Sequence, residues 1–282
     1  MTGTQIGGGG NTKPQQHSGT ILETSLSTKF TKHTIFNKSF FITNAFGKIE
    51  KFSGFTLAEV LITLGIIGIV AAMTIPNIVG NYKKKVVETR LQRFYSVANN
   101  ALLASQAENE SWDFWYFETN DTIENTKKWY DIYLAKYWKT VKVEVLNDGF
   151  VAAYFPDGSL CVVKSGINYF YYPDAKNFDK NTFSTQRFSK YGKDIFVFEF
   201  RPQRKANKQS YRKGIQPYLA QKSATDEDGN LTWNGGYDYT LEDLYNDPAY
   251  GCKEGSAGGA AYCTQVISQN GWKIPEDYPF KF

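Results

Sequence analysis

The stretch "KFSGFTLAEVLITLGIIGIVAAMTIP" occupies residues 51–76, and from Leu57 to Val79 the only formal charge is Glu59. Roughly 20 apolar residues suffice for a helix to cross a bilayer, so this run is long enough. A carboxylate at the bilayer centre costs about 2.5 kcal/mol or more, and less near one end. A charge buried there is tolerated when it is paired, so Glu59 calls for a nearby cation or for the neutral acid.

The helical pattern continues beyond the apolar run. In "NIVGNYKKKVVETRLQRFYSVANNALLASQAEN", residues 77–109, Val87, Leu91, Phe94, Ala98 and Leu102 recur at steps of three or four, the period of an amphipathic helix. Pro76 and Gly80 are candidate kink points at the join. One helix from Phe55 to about Asn109 would be roughly 80 Å long at about 1.5 Å per residue. Its first half would span a membrane and its second would brace a globular domain.

Residues 111–140 are dense in aromatics, with Trp129, Ile132, Tyr133 and Tyr137 on one expected helix face and Trp138 beside it. They read either as a connecting helix packed on a sheet or as a recognition surface, since tryptophan and tyrosine are frequent interface anchors. Strand signals follow. "VKVEVL", "GFVAAYF" and "SLCVVK" surround turns containing "NDG" and "PDGS", as in an antiparallel meander. "DIFVFEF", residues 194–200, adds a strand with Phe196, Phe198 and Phe200 on one side, and Cys161 reads as a buried strand residue. A long helix followed by a small antiparallel sheet gives an α+β fold.

The net charge of +4 is unevenly placed. Residues 1–54 hold six lysines and two glutamates, while from Phe55 onward 26 basic and 26 acidic residues balance. The balanced part offers no long-range field for a stable nucleic-acid partner. The basic run "RPQRKANKQSYRK", residues 201–213, reads as a solvated loop, with a phosphate-binding groove as the other reading. Both histidines, His17 and His33, lie in the N-terminal arm. Removal of that arm leaves no histidine for a triad or a metal site, and no nucleophile arrangement stands out elsewhere.

The segment from Gly54 to Pro76 resembles the cleavage and methylation signal of type IV prepilins and of type II secretion pseudopilins. The resemblance rests on a basic flank, Gly54, Phe55, Thr56, Leu57, Glu59, the apolar helix and Pro76. It implies a prepilin peptidase that cuts after Gly54 and methylates the new amine of Phe55. It implies four segments: 1–54, a leader or disordered cytoplasmic arm removed on maturation; 55–79, a transmembrane helix; 80–109, its amphipathic extension; and 110–282, an extracytoplasmic α+β domain. It also implies a pilin-like plan, with the long helix packed on the sheet and a C-terminal loop and short helix. Glu59 would meet the Phe55 amine of a neighbouring subunit.

The implied role is structural rather than enzymatic: a single-pass bacterial inner-membrane subunit, its C-terminal domain in the periplasm or outside. Other pilin or pseudopilin subunits, a platform protein and an assembly ATPase would be its partners. A secretion pseudopilus is the leading reading over a type IV pilus, and a minor pilin acting as adhesin or DNA-uptake module is the alternative. Lys48 and Lys51 before the span favour a cytoplasmic arm, whereas Lys83, Lys84 and Lys85 beyond it favour the reverse; the resemblance to the processing signal decides for the former. A 54-residue leader exceeds the family's usual length.

Two C-terminal features complete the reading. Cys252 and Cys263 stand eleven residues apart in a Gly-rich stretch that could close as a disulfide, and a short helix is expected from about Gly259 to Asn270, ended by Gly271, with Val266 and Ile267 inward. In "TDEDGNLT", Asp226, Asp228 and Asn230 are hard oxygen donors at alternate positions, a candidate calcium loop without the terminal glutamate. No other cofactor is expected.

Overall fold

The computed structural model describes residues 54–116, 123–233 and 235–282. Phe55–Phe282 forms one compact unit. The reading of the arm as a leader lies outside the described residues, apart from Gly54.

Helix α1 spans Leu57–Glu108 as one 52-residue element. It starts two residues later than expected because Thr56 takes the N-cap with extended backbone. The Thr56 hydroxyl accepts the Glu59 amide at 3.2 Å, while the Thr56 amide donates to the Glu59 carboxylate at 2.8 Å. This reciprocal capping box satisfies two donors that a helix start leaves orphaned. The helix runs through Pro76 and Gly80 without interruption, although proline leaves the Ala72 carbonyl without its backbone donor. Its buried residues are Val87, Glu88, Leu91, Phe94, Ala98, Ala101, Leu102 and Ser105. The expected apolar stripe is all present, with two polar members added.

Helix α2, Ile123–Tyr133, follows a short turn of 3-10 helix at Trp112–Phe114. Trp129, Tyr130 and Tyr133 are buried on it and Trp138 just beyond it, whereas Ile132 is exposed and Tyr137 lies past its end. The expected face is therefore corrected at two members: Tyr130 points inward in place of Ile132, and Tyr137 is not on the helix.

Six strands form one antiparallel sheet in chain order: β1 (Lys142–Val145), β2 (Val151–Tyr154), β3 (Leu160–Lys164), β4 (Asn168–Tyr172), β5 (Phe196–Glu199) and β6 (Gln216–Pro217). Side chains alternate between its faces. Cys161, Val163, Tyr169, Tyr171, Phe196 and Phe198 face the core shared with α1 and α2. Leu160, Val162, Phe170, Tyr172 and Val197 face a second core. The two layers are joined to α1 by rings: Phe94 stacks on Tyr171 at 4.2 Å between centroids and meets Phe198 edge-on at 5.1 Å. The β3–β4 turn needs Gly166, whose φ of 68° is left-handed and whose missing Cβ leaves room for the Trp129 ring.

The second core is closed by α3 (Phe183–Gln186), α4 (Leu241–Asn246), α5 (Cys263–Gln269) and the loops between them. A small hairpin, β7 (Ala224–Thr225) with β8 (Leu231–Thr232), lies apart from the main sheet. Cys252 and Cys263 are joined by a disulfide and both are buried. Cys161 is free and buried. Helix α5 begins at Cys263 rather than near Gly259 because Gly259 holds a φ of 80°, where a Cβ would run into the Phe188 carbonyl and the Tyr191 ring. Val266 and Ile267 are buried, and Asn270 caps the end just before Gly271. Replacing both bridged cysteines by alanine is expected to lower stability by about 2–3 kcal/mol, the entropy of so short a loop. A shift in denaturant midpoint of the full chain in detergent measures it.

Candidate functional site

The first half of α1 has no cover. Among the described residues one helix, α1, is long and apolar enough to cross a membrane, and its most apolar window has no buried residue. Phe55 is 88% exposed and Leu57 77%. In water such a face costs free energy in proportion to its apolar area, so it marks either a bilayer or other chains as its surroundings. Glu59 stands in the first turn of this face. Among the described residues its carboxylate contacts only Thr56, whose hydroxyl donates to it at 2.8 Å in addition to the amide. Gly54 and Phe55 precede the cap in irregular backbone, which an enzyme acting on the 54–55 bond needs, since a helical peptide bond is closed into the hydrogen-bond ladder.

Where the apolar run ends, the C-terminal tail returns to α1. Glu88 is buried there, and its carboxylate accepts the Ile274 amide at 3.0 Å and pairs with Lys273 at 3.3 Å. Lys85 reaches the same carboxylate at 3.7 Å, and the Lys84 ammonium donates to the Pro275 carbonyl at 3.4 Å. The Phe282 carbonyl oxygen would lie 3.5 Å from a Cβ placed on Gly80. A lone carboxylate buried at the mouth of the domain would be costly, and these donors stabilise it. The partners are separated by 185 residues in sequence, so only Lys85, one turn away, could have been read as a partner.

The other sequence candidates fall into different roles. Asp226, Asp228 and Asn230 are brought together, but by the turn between β7 and β8. One Asp226 carboxylate oxygen accepts the Asp228 and Asn230 amides at 3.1 and 2.7 Å, the bonding of an Asx-type turn. Among the described residues no group of three or more His, Cys, Asp or Glu side chains is placed to hold a metal ion.

The basic run 201–213 is not a free solvated loop. Arg201 and Arg204 converge at 3.2 and 3.4 Å on Glu199, which is fully buried at the end of β5, and Asn207 joins at 3.5 Å. Burial pushes the Glu199 carboxyl up to about 7 against the pull of Arg204 and Arg201. Arg212 pairs with Asp113 at 3.5 Å. Three of the run's cations are thus engaged within the fold. Most of the described aromatics of 111–140 likewise serve packing: Trp112, Trp115, Trp129, Tyr130, Tyr133 and Trp138 are all buried, which removes these six from any recognition surface, while Phe114 is exposed.

Two family models match the chain. A family described as a family of unknown function (DUF6613) matches residues 77–282, and the prokaryotic N-terminal methylation motif matches residues 51–75. The second is the motif characteristic of prepilin-type signal sequences, and its match covers the Gly54–Phe55 bond, Glu59 and most of the apolar run. No curated protein and no solved structure matches.

Proposed function

We propose that this chain, which belongs to the family of unknown function DUF6613, is a structural pilin-like subunit. It is cut after Gly54, methylated at Phe55 and assembled through α1 into a type II secretion pseudopilus or type IV pilus-like filament that supports protein secretion. The observation that carries this reading is the form of α1. One uninterrupted helix offers an uncovered apolar half with a single carboxylate, and its other half is the spine of the globular domain.

The physical logic runs through the first turn. Cleavage would create an ammonium at Phe55, four residues from Glu59. Within one chain Glu59 is already held by its own cap, and a cap is a modest partner for a charge in hydrocarbon. A neighbouring subunit's amine is a full counter-charge, and the pair would form only where two α1 helices meet in a poorly solvated bundle. Residues 57–79 would supply the packing surface and the domain would be carried outside. A prepilin peptidase, a platform protein and an assembly ATPase are the partners this sequence of events requires. The anchored, single-pass chain places its domain on the side of the bacterial inner membrane away from the peptidase active site.

Mass spectrometry of the chain isolated from its native membrane tests the first step. A mature polypeptide of residues 55–282 carrying one added methyl on its N-terminal amine is expected. Assembled filaments built from chains that retain residues 1–54 would overturn the proposal.

A further inference from the structure

The foot of the domain carries more positive charge than the pairing of Glu88 uses. Lys83, Lys84 and Lys85 follow the last apolar residue of the span, Val79, by about one helical turn. The tail adds Lys273 to the same place: Lys85 and Lys273 share the Glu88 carboxylate at 3.7 and 3.3 Å, and Lys84 reaches the Pro275 carbonyl. Two ammoniums from distant segments therefore meet on one carboxylate, which is buried and already holds the Ile274 amide, with Lys84 bonded to the tail beside them and Lys83 next to Lys84 in sequence. Lys83, Lys85 and Lys273 are exposed. Glu276 and Asp277, also exposed on the tail, are offset in part by Lys281. The side chains of residues 81–88 and 272–282 together remain net positive. Tyr82, 69% exposed, stands at the same level, and tyrosine is a residue of membrane–water boundaries.

We propose that Lys83, Lys84, Lys85 and Lys273 form a composite docking surface for anionic phospholipid head groups of the membrane that α1 crosses. The position follows from helix geometry: a run ending at Val79 places the next turn at head-group depth. The chemistry follows from charge: long lysine side chains reach along the apolar boundary to phosphate while their stems stay covered, and a basic segment beside a bilayer is attracted to anionic lipid over about a Debye length. Two consequences follow. Contact with lipid would seat the domain on the bilayer before the subunit leaves it, and leaving would require those contacts to be released. The docking also supplies a reason for lysines on the far side of the span, where the distribution of basic residues otherwise disfavours them. The inference rests on α1 crossing the membrane, not on assembly.

Amine labelling of the full chain in vesicles, read by mass spectrometry, tests it. Vesicles of phosphatidylcholine alone are compared with vesicles containing added phosphatidylglycerol. Lys205 and Lys208, exposed on the far loop, serve as internal references. The expected result is several-fold slower labelling of Lys83, Lys85 and Lys273 with phosphatidylglycerol, with unchanged references and reversal in high salt. Lys273→Gln should weaken the protection of Lys83 and Lys85, and Lys273→Arg should preserve it. Equal labelling in both vesicles overturns the proposal. So does protection by a DNA oligonucleotide on phosphatidylcholine vesicles that phosphatidylglycerol fails to reproduce. A chain that is never cleaved or assembled would still show the lipid effect, so the two proposals fail separately.

Discussion

Glu59→Ala is expected to cut the chain recovered in sheared filaments by about 100-fold or more, while membrane insertion, cleavage after Gly54 and the unfolding midpoint of the domain stay near wild type. Removing one partner of a desolvated ion pair costs about 3–5 kcal/mol because the other charge is left unpaired, and each 1.4 kcal/mol is about tenfold in association. The orphan here would be the Phe55 amine of the adjacent subunit. The helix start itself loses little. The Thr56 hydroxyl still accepts the residue-59 amide, the half of the capping box that does not need the carboxylate, and the domain core lies beyond Val87. Filaments of Glu59→Ala at wild-type yield would sink the pairing argument even if the processed mass is confirmed.

The second large effect is expected at Glu199. Glu199→Ala should destabilise the domain by about 3 kcal/mol, the lower end of the cost of breaking a buried pair, because Arg201 and Arg204 keep 30% and 24% of their side chains exposed and can partly rehydrate. Glu199→Gln keeps the shape and an acceptor and should cost less. Its distinguishing effect is on pH dependence. Burial raises the folded carboxyl from the ordinary 4.5 to about 7, so the folded chain holds this proton more tightly than the unfolded one. The stability this group contributes is therefore fully present below about pH 4.5 and is lost as pH rises through about 7. Denaturant curves across that window should show a falling component in the wild type that is missing in Glu199→Gln. Identical slopes would mean the carboxylate stays ionised between its arginines throughout.

How far the fold was legible depended on whether one face of an element meets water. Along α1 the period survives because the opposite face is polar, and each of Val87, Leu91, Phe94, Ala98 and Leu102 is buried. The strands β1, β2, β3 and β5 lie within "VKVEVL", "GFVAAYF", "SLCVVK" and "DIFVFEF". Strand β4 was missed. Its sequence "NYFYY" shows no alternation because Tyr169 and Tyr171 enter one core while Phe170 and Tyr172 enter the other, so both faces read alike. The hairpin of β7 and β8 is two residues a side, too short for any period to register.

For the candidate site the division is similar. Glu59 was conspicuous because a single charge stands out against an apolar run. Glu88 was not, since in a lysine-rich turn it looks like an ordinary surface acid, and its burial depends on a tail segment 185 residues away. The basic run at 201–213 misled for the same reason. Its arginines have a partner in Glu199, which the strand pattern puts at the end of a strand without saying that this end is covered.

One residue ties these layers together mechanically. Arg90 on α1 donates to the Pro173 carbonyl beyond β4 and, at 2.6 Å, to the Asp157 carbonyl in the β2–β3 turn, while the Tyr171 hydroxyl returns a bond to the Arg90 carbonyl at 3.2 Å. A force applied along α1, such as a motor lifting the chain out of a bilayer would exert, enters the sheet at three points through this one side chain and its own backbone. Load divided among parallel links is harder to break than the same links loaded in turn. The domain would then travel as a rigid cargo on its stalk, and Arg90→Ala chains should tear at lower pulling force at the helix–sheet seam before the sheet itself opens.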